Sequence, residues 1–425
     1  MLVKNGLVYQ GDKFEKLDVL IKGTKIERVA PSIDETEATK IIDAEGKHVF
    51  PGFVDLHTHL RDPGQTHKED IISGTKAAAK GGYTTICAMP NTDPIVDNIA
   101  TVEYIKRKAK DVGYCKVSVI GALTKKSEGK ELTEVASMLE GGIVAVSDDG
   151  GCVQNTKIKL NAMKYVSNFN IPVIVHAEDY SLSAKGQINA GTMSTKLGLG
   201  GIPALAEEII ISRDIMLAEN LNCHLHIAHI STAKAIQMVR EAKSRGVKVT
   251  CEVTPHHLLL TEDACDNYDT NTKVKPPLRT KKDRLACLEG LLDDTIDFIA
   301  SDHAPHSDFE KEKEFNLAPF GINVLETSFA SLYTGLVMEN KIELTKLIEK
   351  LSTSPAKFLK INSGLIKEGC LADITVVDLE GDIHFSAETM VSKSNNTPFI
   401  NQTFKGRVDT TICDGVVTWG AGTKS

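Results

Sequence analysis

The chain has 425 residues, of which 49 are lysine or arginine and 57 are aspartate or glutamate, so its formal charge is −8. Hydrophobic residues make up 41% and charged residues 25%, which is typical of a globular protein. The acidic balance argues against a nucleic-acid-binding protein, and no apolar run approaches the roughly 18 residues of a membrane span. We therefore expect neither nucleic acid nor a membrane as a partner.

The N-terminus and the cysteines predict a cytoplasmic protein. The first twenty residues alternate apolar and polar side chains and carry charges throughout, unlike a signal or transit peptide. Nine scattered cysteines with no CxxC pair are typical of reduced thiols in the cytosol rather than of a disulfide framework.

Both ends of the chain are predicted to form short β-strands. The first fifty residues contain LVKNGLVY, LDVLIKGTKIERVA and KIIDAEGKHVF, and the last sixty contain CLADITVVDL and GRVDTTICDGVVTWG. Because chain termini often lie close in space, we expect residues 1–50 and 366–425 to form one small β-sandwich domain. Residues 51–365 then form a separate unit.

The middle of the chain repeats a different pattern, in which short apolar runs alternate with helical stretches. Buried parallel strands read as such continuous apolar runs. Glycines near the ends of several helical stretches are typical helix stops. Eight βα units in series predict an α/β fold, a (β/α)₈ barrel, rather than an open sheet. The runs are HVFPGFVDLHTH, YTTICAMPN, CKVSVIGAL, GIVAVSDD, IPVIVHAED, CHLHIAHIS, VKVTCEVTPHH and IDFIASDHAPH.

Ionisable side chains stand at the end of strand after strand. In a barrel the carboxyl ends of all strands meet on one face, where active sites lie. Imidazole nitrogens and carboxylate oxygens are zinc ligands, and four histidines with two aspartates suit one metal ion or a close pair. The predicted metal ligands are His57, His59, Asp149, His176, His229 and Asp302. The histidines at 48, 67, 224, 226 and 384 are expected to be ordinary core or surface residues.

The sequence leaves open whether Asp149 is the metal ligand at the end of strand four. Asp148 and Asp149 precede two glycines, so an Asx-type turn is the alternative to a metal ligand. Strand parity does not decide between the two aspartates. The nearest lysines, Lys130 and Lys157, lie off the strand, so a carbamylated lysine is not expected there.

Three segments carry a resemblance to a known family: PGFVDLHTHLRDPG (51–64), MPNT (89–92) and SDHAPHSDFEK (301–311). TPHHLLLTED (254–263) and KPPLR (275–279) add to it. With these motifs the chain closely resembles the dihydroorotases, which are metal-dependent cyclic amidohydrolases. The resemblance implies a metal-binding barrel with a small β-sandwich from both termini, and one or two zinc ions per subunit. It also implies a homodimer and an association with aspartate transcarbamoylase.

The resemblance assigns roles to individual residues. The six strand-end residues match the family's metal ligands, and Asp302 also matches the catalytic general acid/base. Arg61, Asn91 and His306 match residues that hold the substrate's carboxylate and ring. The implied reaction is the reversible closure of N-carbamoyl-L-aspartate to L-dihydroorotate in pyrimidine biosynthesis, through hydroxide that the metal makes available at neutral pH.

Two positions depart from the family pattern. Lys275 stands where many relatives have an asparagine that contacts substrate, so we take it as a further substrate-binding candidate that could also point away. Asn323-Val324 stands where the family usually has a glycine that offers backbone contacts to the ring. Residues 307–320 are charged and interrupted by proline, and are expected to form either an active-site loop or a surface loop.

Two other functions compete with this prediction. An allantoinase or hydantoinase would usually place a lysine on strand four and needs no carboxylate clamp of the Arg61 type. A catalytically silent partner of aspartate transcarbamoylase would tend to lose metal ligands, yet all six are present.

Overall fold

The N-terminal fifty residues form five strands of one sheet. In the computed structural model, which describes residues 1–420, β1 pairs with β2 in antiparallel fashion and with β4 and β5 in parallel. Side chains such as Val3, Val8 and Val19 are fully buried in one apolar cluster of this sheet. The strands are β1 (Leu2–Tyr9), β2 (Phe14–Lys22), β3 (Lys25–Ala30), β4 (Ile41–Asp43) and β5 (His48–Pro51).

The eight apolar runs of the middle segment form the strands of one parallel sheet in chain order. Each strand is hydrogen-bonded to the next, which confirms the predicted barrel. Several strands are only two or three residues long, because the polar residues at their ends leave the hydrogen-bonded ladder. They are β6 (Phe53–Thr58), β7 (Tyr83–Ala88), β8 (Lys116–Ala122), β9 (Ile143–Ser147), β10 (Val173–Val175), β13 (Leu225–Ile227), β14 (Val249–Val253) and β15 (Phe298–Ile299); β11 (Ile188–Asn189) and β12 (Gly201–Ile202) form a separate pair.

Helices surround the barrel and begin at side chains that cap free backbone N–H groups. Asp70 accepts from Ser73 N, Asn98 from Thr101 N and Thr232 from Ala235 N. The helices are α1 (Ile71–Lys80), α2 (Ile99–Val112), α3 (Val135–Gly141), α4 (Thr156–Val166), α5 (Tyr180–Ser183), α6 (Thr192–Leu197), α7 (Ala204–Leu221), α8 (Ala233–Ser244), α9 (Pro255–Leu259), α10 (Lys281–Leu292), α11 (Asp308–Lys311), α12 (Ser328–Leu332), α13 (Leu344–Ile348) and α14 (Ser354–Leu359). Across residues 1–420, none of these helices combines the length and the apolar character that crossing a bilayer requires.

The last strands return to the N-terminal sheet. β16 (Ile374–His384), β17 (Thr403–Cys413) and β18 (Val416–Trp419) extend it in the order β18-β17-β16-β5-β1-β2-β3, with β4 paired to β1. The two ends of the chain therefore meet in one hydrogen-bonded sheet. The domain bounds given above stay a prediction.

The connection between β16 and β17 leaves this sheet and reaches the barrel. We call residues 386–401 the strap. Ser394 Oγ donates to the His306 carbonyl oxygen (2.5 Å), and Asn396 Nδ2 donates to that of Gly321 (3.0 Å). The strap thus packs against the loops that follow the last barrel strand.

The barrel closes between its first and last strands. His59 N donates to the His303 carbonyl oxygen (2.8 Å), and Thr58 pairs with His303 in a parallel bridge. The buried Asp55 carboxylate accepts from His57 N (3.2 Å) and from Ser301 N (2.9 Å). Asp55 therefore ties together the two strand ends that carry His57 and Asp302.

Candidate metal centre and active site

The six predicted ligands lie together at the carboxyl end of the barrel. His57 is in β6 and His59 follows it, and the other four come one to three residues after the ends of β9, β10, β13 and β15. All six are buried: His57, His59, Asp149, His176, His229 and Asp302 are at most 8% exposed. The barrel topology thus brings residues up to 245 positions apart into one cluster.

Asp149 lies at the centre of this cluster. Its Oδ1 is 3.5 Å from His57 Nε2 and 3.7 Å from both His176 Nδ1 and His229 Nε2, and its Oδ2 is 3.5 Å from His59 Nε2. Asp302 Oδ1 lies 3.5 Å from His57 Nε2 and 3.2 Å from His59 Nε2. His57 therefore belongs to two ligand groups, one with Asp149 and His229 and one with His59 and Asp302.

The chemistry of this cluster fits a divalent metal. His57 Nε2 and Asp149 Oδ1 are buried and have no hydrogen-bond partner within residues 1–420. Buried polar atoms are nearly always partnered, so two such atoms facing each other indicate an ion between them. Burial alone would lower the pKa of His57, but Asp149 and Asp302 raise it well above its usual value. The site therefore favours positive charge at this point.

The structure distinguishes the two aspartates after β9. Asp148 Oδ1 accepts from the backbone N–H groups of Leu123 (2.9 Å) and Thr124 (2.8 Å). Asp149 faces the histidines, and Gly150 after it has a φ of +86° with Asn91 only 2.8 Å from where a Cβ would lie. Of the two aspartates, therefore, Asp148 closes the turn and Asp149 faces the candidate metal cluster, and the role of Asp149 as a ligand stays a prediction.

Three site residues have left-handed backbone conformations. The φ values are +58° at Arg61, +33° at His229 and +47° at Asp302. Such conformations are costly for residues with a Cβ and persist where the surroundings hold them, often at functional sites. At Asp302 the neighbouring Ser301 is held by Asp55, and His303 N donates to Ser301 Oγ (3.0 Å).

Two histidines have partners that orient their rings. His59 Nδ1 lies 2.7 Å from Asn91 Oδ1, and His57 Nδ1 lies 2.7 Å from Glu252 Oε1. Both acceptors are oxygens, so each Nδ1 carries the proton and each Nε2 faces the aspartates. Asn91, predicted as a substrate contact, thus also orients His59. Sequence reasoning missed Glu252, although a lone acid inside the apolar run VKVTCEV was an available signal.

A cavity of about 380 Å³ opens over the cluster. This volume lies within the usual range for small-molecule sites. All four predicted substrate-binding residues line it, together with five of the six cluster residues, the exception being His57. Outside the cluster, the cavity wall includes Arg61, Asn91, Lys275, His306, Phe320 and Gly321.

Arg61 and His306 form the basic end of the cavity. Arg61 Nε donates to the Pro305 carbonyl oxygen (3.2 Å), and its Nη2 lies 3.2 Å from His306 Nε2. His306 Nε2 donates to the Phe320 carbonyl oxygen (2.8 Å). Burial lowers the pKa of Arg61 to about 10, so the guanidinium stays charged at neutral pH. This end of the cavity suits an anion.

Lys275 is paired with a carboxylate of the chain. Its Nζ is 2.9 Å from Glu178 Oε1, and Glu178 Oε2 is 3.5 Å from His176 Nε2. Burial alone would raise the pKa of Glu178, but His176 and Lys275 hold it at about 2. Lys275 therefore lines the cavity with its charge already balanced.

The second departure from the family pattern lies away from the cavity lining. Val324 N donates to His303 Nδ1 (3.2 Å), and Asn323 Nδ2 donates to the Ser394 carbonyl oxygen (2.6 Å). In the part of the chain that the structure describes, neither residue is among those lining the cavity. They position the loop after Asp302 and join it to the strap.

Two buried lysines anchor residues 307–320. Lys273 Nζ donates to the carbonyl oxygens of Phe315 and Ala318, each at 2.6 Å. Lys311 Nζ donates to those of Pro319 (3.0 Å) and Gly321 (2.9 Å). These anchors hold the end of the segment, Pro319 and Phe320, in the cavity wall, and its role as an active-site loop stays a prediction.

We expect Lys311→Met to loosen this loop without affecting metal content. The substitution leaves two carbonyl oxygens without their partner, which costs about 1–3 kcal/mol for each buried acceptor. The KM for the substrate that binds in this cavity should rise about tenfold, and amide hydrogen exchange in residues 312–321 should accelerate. The exposed neighbour Lys313 provides a matched control, Lys313→Met. Equal exchange rates in the two variants would contradict the anchoring role.

The chain resembles named relatives over nearly its whole length. A family model described as Dihydro-orotase-like matches residues 46–235. A relative from Thermoanaerobacter sp. (strain X514) named dihydroorotase is 47% identical over 420 residues, covering 99% of this chain and 97% of its own. A relative of the same name from Caldicellulosiruptor saccharolyticus is 46% identical, covering 98% of both chains.

Solved structures show the same fold. An L-hydantoinase (dihydropyrimidinase) from Arthrobacter aurescens superimposes with a TM-score of 0.90 at 25% identity, covering 100% of this chain and 97% of the other. A dihydropyrimidinase from Brevibacillus agri NCHU1002 gives a TM-score of 0.85 at 24% identity, covering 99% and 95%.

Proposed function

Since the chain belongs to the dihydroorotase family of cyclic amide hydrolases, we propose that it catalyses the reversible closure of N-carbamoyl-L-aspartate to L-dihydroorotate with loss of water. We place this step in cytoplasmic pyrimidine biosynthesis. The observation that carries the proposal is the joint placement of Arg61 and Asp302 in one cavity over a metal-binding cluster. A carboxylated ring substrate needs both an anion-binding group and a group that moves a proton.

We propose one or two zinc ions as the metal. His57, His59 and Asp302 would hold one ion, and His176 and His229 the other, with Asp149 shared between them. When bound, zinc acts as a Lewis acid on a carbonyl oxygen and lowers the pKa of water towards 7. Imidazole nitrogens and carboxylate oxygens are among the ligands that zinc takes in catalytic sites.

Asp302 is the proposed proton carrier. In the hydrolytic direction its carboxylate accepts a proton from the attacking water, as the water oxygen bonds to the ring carbonyl carbon. It returns that proton to the ring nitrogen as the carbon–nitrogen bond breaks. Burial alone would raise the pKa of Asp302, but His57, His59 and His229 hold it well below its usual range. The carboxylate is therefore in the anionic form that the first transfer requires.

Arg61 is the proposed partner of the substrate carboxylate. A guanidinium offers a planar pair of donors that matches a carboxylate, and the low polarity of a buried site strengthens the pairing. Asn91 keeps His59 oriented, and its amide lies at the cavity wall beside Asp149. Phe320 and the loop anchored by Lys273 and Lys311 are the proposed elements that keep water out of the cavity.

The test is turnover of L-dihydroorotate, followed by loss of its ultraviolet absorbance, with and without a chelator. Chelator-sensitive turnover is expected. Hydantoin and allantoin serve as competing substrates, because hydantoinases share the fold. Turnover of hydantoin without turnover of dihydroorotate would contradict the proposal, and an inactive zinc-loaded protein would favour a silent partner of aspartate transcarbamoylase.

We expect Arg61→Met to lower kcat/KM for dihydroorotate about 100-fold, mainly through KM. Charge-assisted hydrogen bonds contribute about 1.5–3 kcal/mol each, and the variant loses the bidentate pair. Arg61→Lys should restore part of the loss, since it keeps the charge without the planar fork. Zinc content is measured alongside, and should not change. An unchanged KM in the methionine variant would remove Arg61 from the carboxylate site.

Two assembly proposals rest on the family resemblance. We propose a homodimer, which light scattering of the purified chain tests directly. We also propose an association with aspartate transcarbamoylase, tested by co-elution of the two purified proteins.

A further inference from the structure

Inside the barrel, directly below the metal cluster, a buried carboxylate joins two histidines. Glu252 Oε1 is 2.7 Å from His57 Nδ1, and Glu252 Oε2 is 3.1 Å from His226 Nε2. His57 and His226 have no exposed surface, and Glu252 is 1% exposed. Each carboxylate oxygen thus has one imidazole donor, and neither is left without a partner.

The strand pattern explains why these side chains meet. In β14, Val249, Cys251 and Val253 pack outward with the hydrophobic core between strands and helices. Thr250 and Glu252 alternate with them and therefore point into the barrel. In β13, Leu225 and Ile227 likewise pack outward, so His226 points inward. Parallel pairing sets His226 opposite Thr250, so Glu252 is the next inward residue along β14, and its carboxylate reaches the His226 ring.

A second hydrogen bond fixes the ring of His226. Its Nδ1 lies 2.9 Å from Thr250 Oγ1, and the same hydroxyl lies 3.1 Å from His224 Nε2. His226 also packs against the rings of Phe298 and Phe358, with centroids 5.7 and 5.1 Å away. The ring that holds Glu252 is therefore itself held on two sides.

We propose that Glu252 and His226 are positioning residues for the metal ligand His57. An ionised carboxylate accepts hydrogen bonds only, so Glu252 keeps the proton of His57 on Nδ1 and leaves the Nε2 lone pair directed at Asp149 and Asp302. His226 holds the second oxygen, so the carboxylate cannot rotate away from His57. Neither residue lines the cavity, so both act through His57 and not on substrate.

The inference rests on the metal site of the proposed function and concerns how tightly that site holds metal. Partners that orient a ligating histidine typically change metal affinity by 10–100-fold. Glu252→Gln keeps an oxygen for His57 but loses the charge, so a loss near 10-fold is expected. Glu252→Leu removes the acceptor altogether, and a loss towards 100-fold is expected.

The histidine variants separate positioning from general structural support. His226→Leu removes the donor to Glu252 and should weaken zinc binding as Glu252→Gln does. His226→Gln places an amide N–H near the position of Nε2 and should restore most of the affinity.

The matched control is Asp214→Asn. Asp214 is equally buried and bound to Lys159 and Arg213, but it lies on α7 outside the barrel.

The experiment measures zinc affinity of the full chain by competition with a chromogenic chelator, together with the visible spectrum of the cobalt-substituted protein. Weakened affinity and an altered cobalt spectrum are expected in Glu252→Gln and His226→Leu, and neither in Asp214→Asn. If Glu252→Leu fails to fold, Glu252→Gln and the His226 pair carry the test. Folded Glu252→Gln and His226→Leu with wild-type zinc affinity would overturn the inference.

Dihydroorotate turnover of the wild-type protein is measured in parallel. A wild-type protein that binds zinc but does not turn over dihydroorotate contradicts the proposed function alone. Equal zinc affinities across the folded variants contradict the positioning role alone. A wild-type protein that binds no zinc contradicts both.

Discussion

Replacing Asp302 with asparagine is expected to lower kcat for dihydroorotate by about 10²–10⁴-fold while the protein keeps its zinc. Asparagine has the same shape but cannot accept and return a proton, and general acid–base catalysis contributes a factor of this size. Zinc should be retained because Asp149 and four histidines still surround the site. KM should change little, since Arg61 at the basic end of the cavity is untouched. Steady-state kinetics and zinc content per subunit, measured on the same preparation, test this.

A second variant, at Asp308, controls for the loss of a negative charge in the segment that follows the last barrel strand. Asp308 is exposed and lies six residues further along, at the start of α11. Asp308→Asn should leave kcat unchanged. Near-normal kcat in zinc-loaded Asp302→Asn would assign the proton transfer to another group. A joint loss of zinc and turnover would instead make Asp302 chiefly a ligand.

The barrel and its ligand cluster were predictable because topology alone places them. Eight apolar runs become parallel strands, since strands buried on both faces are apolar throughout. Polar residues that end such runs must then meet at one face, whatever their separation in sequence. His57, His176 and His229 could therefore be grouped from the sequence, and the structure places all three within 3.7 Å of Asp149 Oδ1.

The orientation of each ligand could not be predicted, because it depends on contacts between strands far apart in the chain. Glu252 lies 195 residues from His57, and Asn91 lies 32 residues from His59. Sequence patterns give the side of a strand on which a residue lies, but not the partner of each ring nitrogen. His226 was expected to be an ordinary core histidine, and it is buried as expected, but its hydrogen bond to Glu252 connects it to the site.

The contacts of the loop residues were the least predictable from the sequence. Lys275 carries a charge that would suit an anionic substrate, and only the structure shows that Glu178 already balances it. The strap at 386–401 belongs in sequence to the C-terminal β-strands, yet it contacts the segment after Asp302. Irregular segments have no periodicity from which a position could be inferred, so their contacts follow from the assembled fold alone.

Asp149→Asn is expected to abolish zinc retention, with a loss of affinity above 100-fold and a matching loss of turnover at limiting zinc. One carboxylate lies within 3.7 Å of all four histidines, so its charge acts on every proposed histidine ligand. Metal ligands must be deprotonated, and a neutral amide contributes neither the charge nor a second oxygen. Chelator competition gives the affinity, and added zinc should restore only part of the activity.

The neighbouring Asp148 is the matched control for this variant. Asp148 is also buried, but its carboxylate binds the backbone at residues 123 and 124. Asp148→Asn should lower the melting temperature by weakening that turn, while zinc affinity stays at the wild-type value. Because the two substitutions are chemically identical and one residue apart, a difference between them can arise only from what each carboxylate faces. Wild-type zinc affinity in Asp149→Asn would show that the histidines and Asp302 suffice to bind the metal.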